Sequence, residues 1–353
     1  MDSYLQNKKK LYFVCTNFDS SKDGIGHYTA KIVKEIKENY FLEVYVFTNN
    51  TYYLNYFKLF FSLKMSLQLI KAFGIIKKNR ADKNYIFLEY PFVEYNPLIF
   101  IILFILKLQK KSSDKIILSL HEYSRTKKIR KNFINKMIKL SDVVLYTRDE
   151  DVKTFKANDK IVFIKRTIPA NIEPSQNKII KRKKEIINLC FFGIVNYRTK
   201  EIENMIKAWK IFNNGKMERL KFHIITSSFD NTLADMKQIN YHYNLKDNEV
   251  SNLLQEMNFM ILPLKPKISI HNGSLSAGCI HRCIPIGIFD LDYFDSKFGI
   301  QMDNYSVESF LKVYEKILTL NDSEINEKVK SAYNYGKNKT IANAVKKYLE
   351  IVI

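Results

Sequence analysis

Three segments place glycines, cations and small polar residues where a strand-like run gives way to a helical pattern. In Phe191–Lys200 (FFGIVNYRTK), Gly193 follows an apolar run, and Arg198 and Lys200 stand at the start of a helix. Two cations at that point suit a diphosphate, which they neutralise without a metal while the helix N-terminus adds partial positive charge. The plainer alternative makes both of them solvated surface charges. The stretch 261–278 (ILPLKPKISIHNGSLSAG) runs from a strand through a polar loop holding His271 and Asn272. Gly273 and Ser274 then open a helix of small residues that allows close approach, with Ser274 as the expected cap. In Asp23–Thr29 (DGIGHYT), Gly24 and Gly26 would let backbone N–H groups approach a phosphate at a helix starting near His27. The segment is not GxGxxG, and no acidic residue follows at the ribose-binding spacing, so a dinucleotide fingerprint is not supported. A loop needing positive φ explains these two glycines equally well.

The elements that must hold these segments come in two series. Apolar runs at 11–15, 42–48, 85–89, 116–120, 143–146 and 161–164 alternate with helical patterns. After a polar, basic stretch at 174–185, a second series follows at 187–192, 222–226, 260–262 and 284–288. A helix is expected at 201–212 and another at 341–353. Such alternation predicts an α/β protein with mostly parallel sheets, and 353 residues exceed what one core usually serves. The outline is two Rossmann-like domains facing a cleft, with ligand loops beyond the carboxyl ends of the strands.

Composition narrows the partners. A formal charge of +21 implies attraction to polyanions, although an Asn-, Ile- and Lys-rich background explains part of it. Lysine outweighs arginine and no recognition-helix pattern is present, so nucleic acid is disfavoured. The cysteines Cys15, Cys190, Cys279 and Cys283 sit in apolar runs without metal-site spacing and read as buried thiols. The apolar run 98–106 is too short to span a bilayer, and the N-terminus lacks a signal-peptide pattern, so a soluble or peripheral cytoplasmic protein is expected. A helical pattern of apolar residues interleaved with lysines at 52–78 fits either a core-facing helix or one lying on an anionic leaflet, and Lys127–Lys131 adds a second basic patch.

The order GIGHYT, HEYS (121–124), IPANI (168–172), FFG…RTK and LP…NGSLSAG…IPIG resembles the retaining GT-B glycosyltransferases of family 4, nearest to bacterial members that build capsular or exopolysaccharide. The resemblance implies a nucleotide-sugar donor, UDP-linked in preference, and a growing lipid-linked glycan as acceptor. It implies no cofactor and no metal, a peripheral contact with the inner face of the anionic cytoplasmic membrane, and a possible partner protein. By carry-over, Gly24 and Gly26 face the donor phosphates and Lys200 takes the diphosphate lysine position. The arginine position is Ile194, which makes Arg198 its substitute. His121 falls where such enzymes place a histidine touching the donor sugar, and His27, Glu89 and Glu94 fall on the acceptor side. The family's Glu-x7-Glu pair lands on Ile270 and Gly278, so donor contacts pass to Gly193, His271, Asn272, Gly273 and Ser274. The implied domains are residues 1–172 for the acceptor, 173–336 for the donor, and a last helix at 337–353 packing back on the first. A pyruvyl or glycerophosphate transferase and a non-catalytic nucleotide-sugar-binding subunit are the alternatives.

Overall fold

The computed structural model describes every residue except 1–8, 17, 19–23, 41, 50–57, 79–82, 91–96, 122, 124–127, 151–159, 176–185, 196–198, 214–219, 266, 291–293, 295–296 and 353. Two compact units emerge, one of residues 1–167 with 341–353 and one of residues 168–340.

The first unit is built on six parallel strands: β1 (Lys9–Thr16), β2 (Glu43–Asn49), β3 (Lys83–Tyr90), β4 (Lys115–Leu120), β5 (Val143–Tyr146) and β6 (Val162–Lys165). Their order in the sheet is β2-β1-β3-β4-β5-β6. Side chains alternate faces along each strand, and both faces are covered, which is why the strands read as near-continuous apolar runs. Leu11, Phe13, Phe87, Ile117 and Leu145 pack under α1 (Gly24–Asn39) and the C-terminal helix. Tyr12, Val14, Ile86, Leu88 and Leu118 pack under α2 (Lys58–Lys78), α3 (Pro97–Gln109) and α4 (Lys128–Leu140).

The second unit repeats the plan with β7 (Ile187–Phe192), α5 (Thr199–Phe212), β8 (Leu220–Thr226), α6 (Asn231–Ala234), β9 (Asn240–Tyr243), α7 (Asp247–Glu256), β10 (Phe259–Ile261), α8 (Gly273–Ile280), β11 (Ile284–Gly287) and β12 (Ile300–Gln301). Helices α9 (Val307–Thr319), α10 (Asp322–Gly336) and α11 (Ile341–Val352) end the chain. The strand order is β12-β11-β10-β7-β8-β9, all parallel. Two strands carry no apolar run: the polar edge strand β9 (NYHY) and the two-residue β12.

The units part after Thr167 and exchange the chain again at Ile341, whereas the sequence reading sets these points at 172/173 and 337. Residues 168–172 are tied to the second unit because Ala170 N–H donates to Lys339 O (2.8 Å) and Asn171 N–H to Gly273 O (3.2 Å). Helix α11 buries Val345, Tyr348 and Leu349 with Ile32, Val33 and Ile36 of α1, so it belongs to the first unit's core.

Candidate functional site

Each sheet has one point where the strand order reverses, and ligands of open α/β sheets bind there beyond the carboxyl ends. In the second unit it lies between the neighbours β7 and β10. The helices that follow those strands lie on opposite faces of the sheet, α5 packing with Phe191 and Ile261 and α8 with Cys190 and Met260, so their N-termini flank it. Gly193 leaves β7 at φ 151°, a backbone state that side chains rarely adopt, and its N–H donates to Ile225 O (3.1 Å). Val195 N–H is held by Ser228 Oγ (3.1 Å). Lys200 is exposed in the first turn of α5. Glu201 beside it forms an ion pair with Lys265 from the loop after β10. Burial would raise the Glu201 carboxyl, but the Lys265 hydrogen bond and the Lys265 and Lys200 charges hold it below its usual range. Lys265 is thus a second cation at this point; its position next to Lys200 depends on β7–β10 pairing and leaves no local mark in the sequence. Arg198 lies outside the described residues.

The start of α8 differs from expectation in one respect. Asn272 is the cap, its Oδ1 accepting from Leu275 N–H at 2.7 Å. Ser274 is not the cap: it sits inside the first turn and is buried. Gly273 is required because a Cβ there would lie 1.9 Å from Asn171 Oδ1. Gly278, one of the two positions where the resembled family has a carboxylate, faces Met260, whose Cε would meet a Cβ at 2.0 Å. At the other, Ile270 offers its carbonyl to Tyr335 Oη–H and Lys339 Nζ, both at 2.9 Å. Burial brings the Lys339 ammonium down to about 8. His271 is half-buried between these anchors. The Tyr305 hydroxyl accepts from Leu264 N–H (3.1 Å) and Ile288 N–H (3.2 Å) and donates to Leu262 O or Leu264 O, pinning the loops after β10 and β11.

In the first unit the reversal lies between β1 and β3. Helix α1 begins at Gly24, three residues earlier than expected, so Gly24 and Gly26 occupy its first turn and the positive-φ loop explanation does not apply. The first-turn N–H groups of a helix have no partner within it, which suits an anion. His27 is half-buried in the same turn. Glu94 lies outside the described residues.

The same end of this sheet holds a buried polar network. Glu89, next to last in β3, has no exposed surface, a correction to its expected role at an acceptor hydroxyl. Its Oε2 lies 2.9 Å from His121 Nε2 and its Oε1 accepts from Tyr348 Oη–H of α11 at 3.1 Å. Arg166, 2% exposed after β6, donates to Tyr348 Oη (2.6 Å), Tyr28 Oη of α1 (3.2 Å) and His121 Nε2 (2.8 Å), and approaches Glu89 Oε2 to 3.8 Å. Burial alone would raise the Glu89 carboxyl; the His121 hydrogen bond and the Arg166 charge bring it below its usual range. Burial raises both tyrosine hydroxyls, so they stay protonated and able to donate. Arginine only donates and a carboxylate only accepts. His121 Nε2 therefore serves one partner at a time: bare, it accepts from Arg166; protonated, it donates to Glu89. Arg166 and Tyr348 lie in no motif of the sequence, and Tyr28, although inside GIGHYT, has no partner that the motif itself reveals.

Among the described residues no three His, Cys, Asp or Glu side chains form a metal-binding group and no helix is long and apolar enough to cross a membrane; the four cysteines are buried.

No protein-family model and no curated protein matches the chain. Solved structures do. HepE of Anabaena, in complex with UDP and glucose, aligns with a TM-score of 0.62 at 10% identity, covering 98% of this chain and 99% of that one. The catalytic domain of starch synthase IV of Arabidopsis thaliana, bound to ADP and acarbose, gives 0.63 at 9% identity over 98% of each chain. A UDP-N-acetylglucosamine 2-epimerase gives 0.59 at 11%, over 98% of this chain and 96% of that one.

The fold is GT-B.

Within it, the GT-B elements bring Gly193, Lys200, His271, Asn272, Gly273 and Ser274 to the carboxyl end of the second sheet, around β7 and β10. Gly24, Gly26, His27, Glu89 and His121 come to the same end of the first.

Proposed function

We propose that this chain is a retaining glycosyltransferase of the family 4 type, moving a sugar from a nucleoside-diphosphate donor, UDP-linked in preference, to a hydroxyl of a growing lipid-linked surface polysaccharide. The observation that carries this reading is the pair of helix N-termini, α5 and α8, flanking the β7/β10 reversal with Lys200 in the first turn. Aligned backbone N–H groups and a lysine favour the negative charge that grows on a departing diphosphate. Retaining transfer of this kind asks for leaving-group stabilisation more than for a strong base, and none of the proposed donor contacts is a metal-ligating carboxylate. The reaction is therefore assigned as metal-independent. His121 stands at the carboxyl end of the first sheet as the sugar-contacting group, its Nε2 within hydrogen-bond distance of Glu89 and Arg166. HepE and starch synthase IV, solved with UDP and ADP respectively, support a nucleotide-diphosphate ligand on this fold.

The test uses the purified chain with a panel of UDP-, GDP- and ADP-sugars and a membrane extract as acceptor. Release of nucleoside diphosphate should persist in EDTA and fall about 10²- to 10³-fold in Lys200→Ala. The thermal midpoint should not change, because Lys200 is exposed. Near-normal turnover by Lys200→Ala removes the reading. Interconversion of free UDP-sugars without transfer would assign the chain to the chemistry of the epimerase that shares its fold.

A further inference from the structure

We infer that the outer face of α2 and α3 is a docking surface for an anionic lipid bilayer, which the protein meets with an apolar stripe set among lysines. Six of the ten large apolar side chains exposed among the described residues lie on these two neighbouring helices. On α3, Ile101, Phe104, Ile105 and Leu108 are 40–69% exposed at i, i+3, i+4 and i+7, one continuous stripe. Leu103 and Leu106, on the opposite side of the same helix, are the residues that reach the core. A surface helix of a globular domain normally turns polar residues outward; this one has apolar residues on both sides. Leu67 and Ile70 continue the patch on α2, whose exposed face then passes to Lys71, Lys77 and Lys78.

Charge decides the occupant. Helices α2, α3 and α4 cover one face of the first sheet and carry five, one and five lysines or arginines without an aspartate or glutamate among them. They hold about half of the chain's formal +21. Lys107 and Lys110 share one carboxylate, Asp142, at 2.6 and 3.2 Å. Lys128, Lys136 and Lys139 of α4 are exposed, and Lys136 lies 5.9 Å from the Phe100 ring centre of α3. A second copy of this chain would bring the same positive charge against itself. An anionic leaflet accepts both features, since phosphates attract the lysines while the stripe enters the headgroup boundary. At 13 residues, α3 is about 20 Å long, enough to lie in the interface and too short to span it. Lysine stems suit that geometry because they keep the charge at headgroup level.

This deepens the lipid-linked acceptor proposed above, but it stands on exposure and charge rather than on the chemistry, and the two can fail separately. The probe is co-sedimentation of the full chain with vesicles of phosphatidylglycerol mixed into phosphatidylcholine, against phosphatidylcholine alone. Binding to the anionic vesicles that weakens with salt is expected. Phe104→Ser combined with Leu108→Ser should reduce it about tenfold or more, and Lys77→Glu with Lys78→Glu should reduce it by a comparable factor. All four side chains are exposed, so circular dichroism and the thermal midpoint should match the parent. Absence of vesicle binding, or binding unchanged in both variants, overturns the assignment. So does a salt-stable dimer that the Phe104/Leu108 variant dissolves. Nucleotide-sugar turnover in solution, measured on the same variants, should be unaltered.

Discussion

The two sheet ends are held together in opposite ways. In the first unit, charged and polar side chains bond to one another: Glu89, His121, Arg166, Tyr28 and Tyr348 form a closed, buried network drawn from five elements. In the second, side chains bond mostly to the backbone. Asn272 caps α8, Asn171 packs on Gly273, Tyr305 pins two loops, and Tyr335 with Lys339 holds the Ile270 carbonyl. A network of charges concentrates its energy in a few atoms. Backbone anchoring fixes a loop's shape while leaving N–H groups and an exposed cation, Lys200, for a ligand. One end closes on itself, and the other is the one to which the proposed function brings an anion.

The largest effect should come from breaking the first arrangement. Arg166→Met leaves Glu89 as a buried carboxylate without its cation, a change that costs about 3–5 kcal/mol. A lowered urea midpoint reads it out, and Arg166→Met with Glu89→Gln should regain part of the loss. A midpoint within error of the parent would mean that the network is not the structural centre described. Acid should imitate the mutation. The Glu89 carboxyl lies below its ordinary value of 4.5 in the folded chain, so its contribution is complete above that value. Stability is then lost as pH falls through the folded value. Glu89→Gln should flatten that part of the acid limb.

The network also marks where the sequence stops being informative. Apolar runs bounded by polar loops are legible because parallel strands buried on both faces must be apolar throughout, and ten of the twelve strands have such runs. The polar edge strand β9 and the short β12 leave no such signal. Glu89 and His121 could be picked out because each ends a strand run. Whether Glu89 faces a ligand or a partner is decided by Arg166 and Tyr348, which lie 77 and 259 positions further along the chain. Two side chains from distant elements meet only after the sheet order is set. In the second unit more was legible: Gly193 and Asn272 are consequences of local backbone geometry, which local sequence reports, whereas the need for Gly273 comes from the distant Asn171. The cap was misplaced by two residues because Ser274 and Asn272 both qualify by type, and only the helix start at Gly273 separates them.

A smaller effect tests whether the second end is as rigid as its bonds suggest. Gly273→Ala drives a Cβ into Asn171 Oδ1, and relieving that overlap costs about 1–3 kcal/mol. The strain falls on a side chain, so Asn171→Gly with Gly273→Ala should recover most of the stability. If nucleoside-diphosphate affinity falls in the single variant and returns in the double, the packing of residue 171 on α8 sets the shape of the anion site. Recovery of stability without recovery of affinity would place the requirement on Asn171 itself.

The finest distinction concerns Asn272, which caps α8 and was also expected to touch the donor. Asn272→Ala should lose about 1 kcal/mol of stability, the usual cost of an N-cap. Aspartate caps as well as asparagine and suits a helix N-terminus, so Asn272→Asp should keep the thermal midpoint or raise it slightly. Beside a diphosphate, however, the same carboxylate repels. Isothermal titration with UDP should then show weakened binding in a variant whose fold is at least as stable as the parent's. Unchanged affinity in Asn272→Asp would place the diphosphate away from the start of α8 and leave the Lys200 turn of α5 as the anion site of this unit. Stability and affinity move together wherever a residue only builds the loop, and they separate here because one oxygen would serve the helix while its charge faces the ligand.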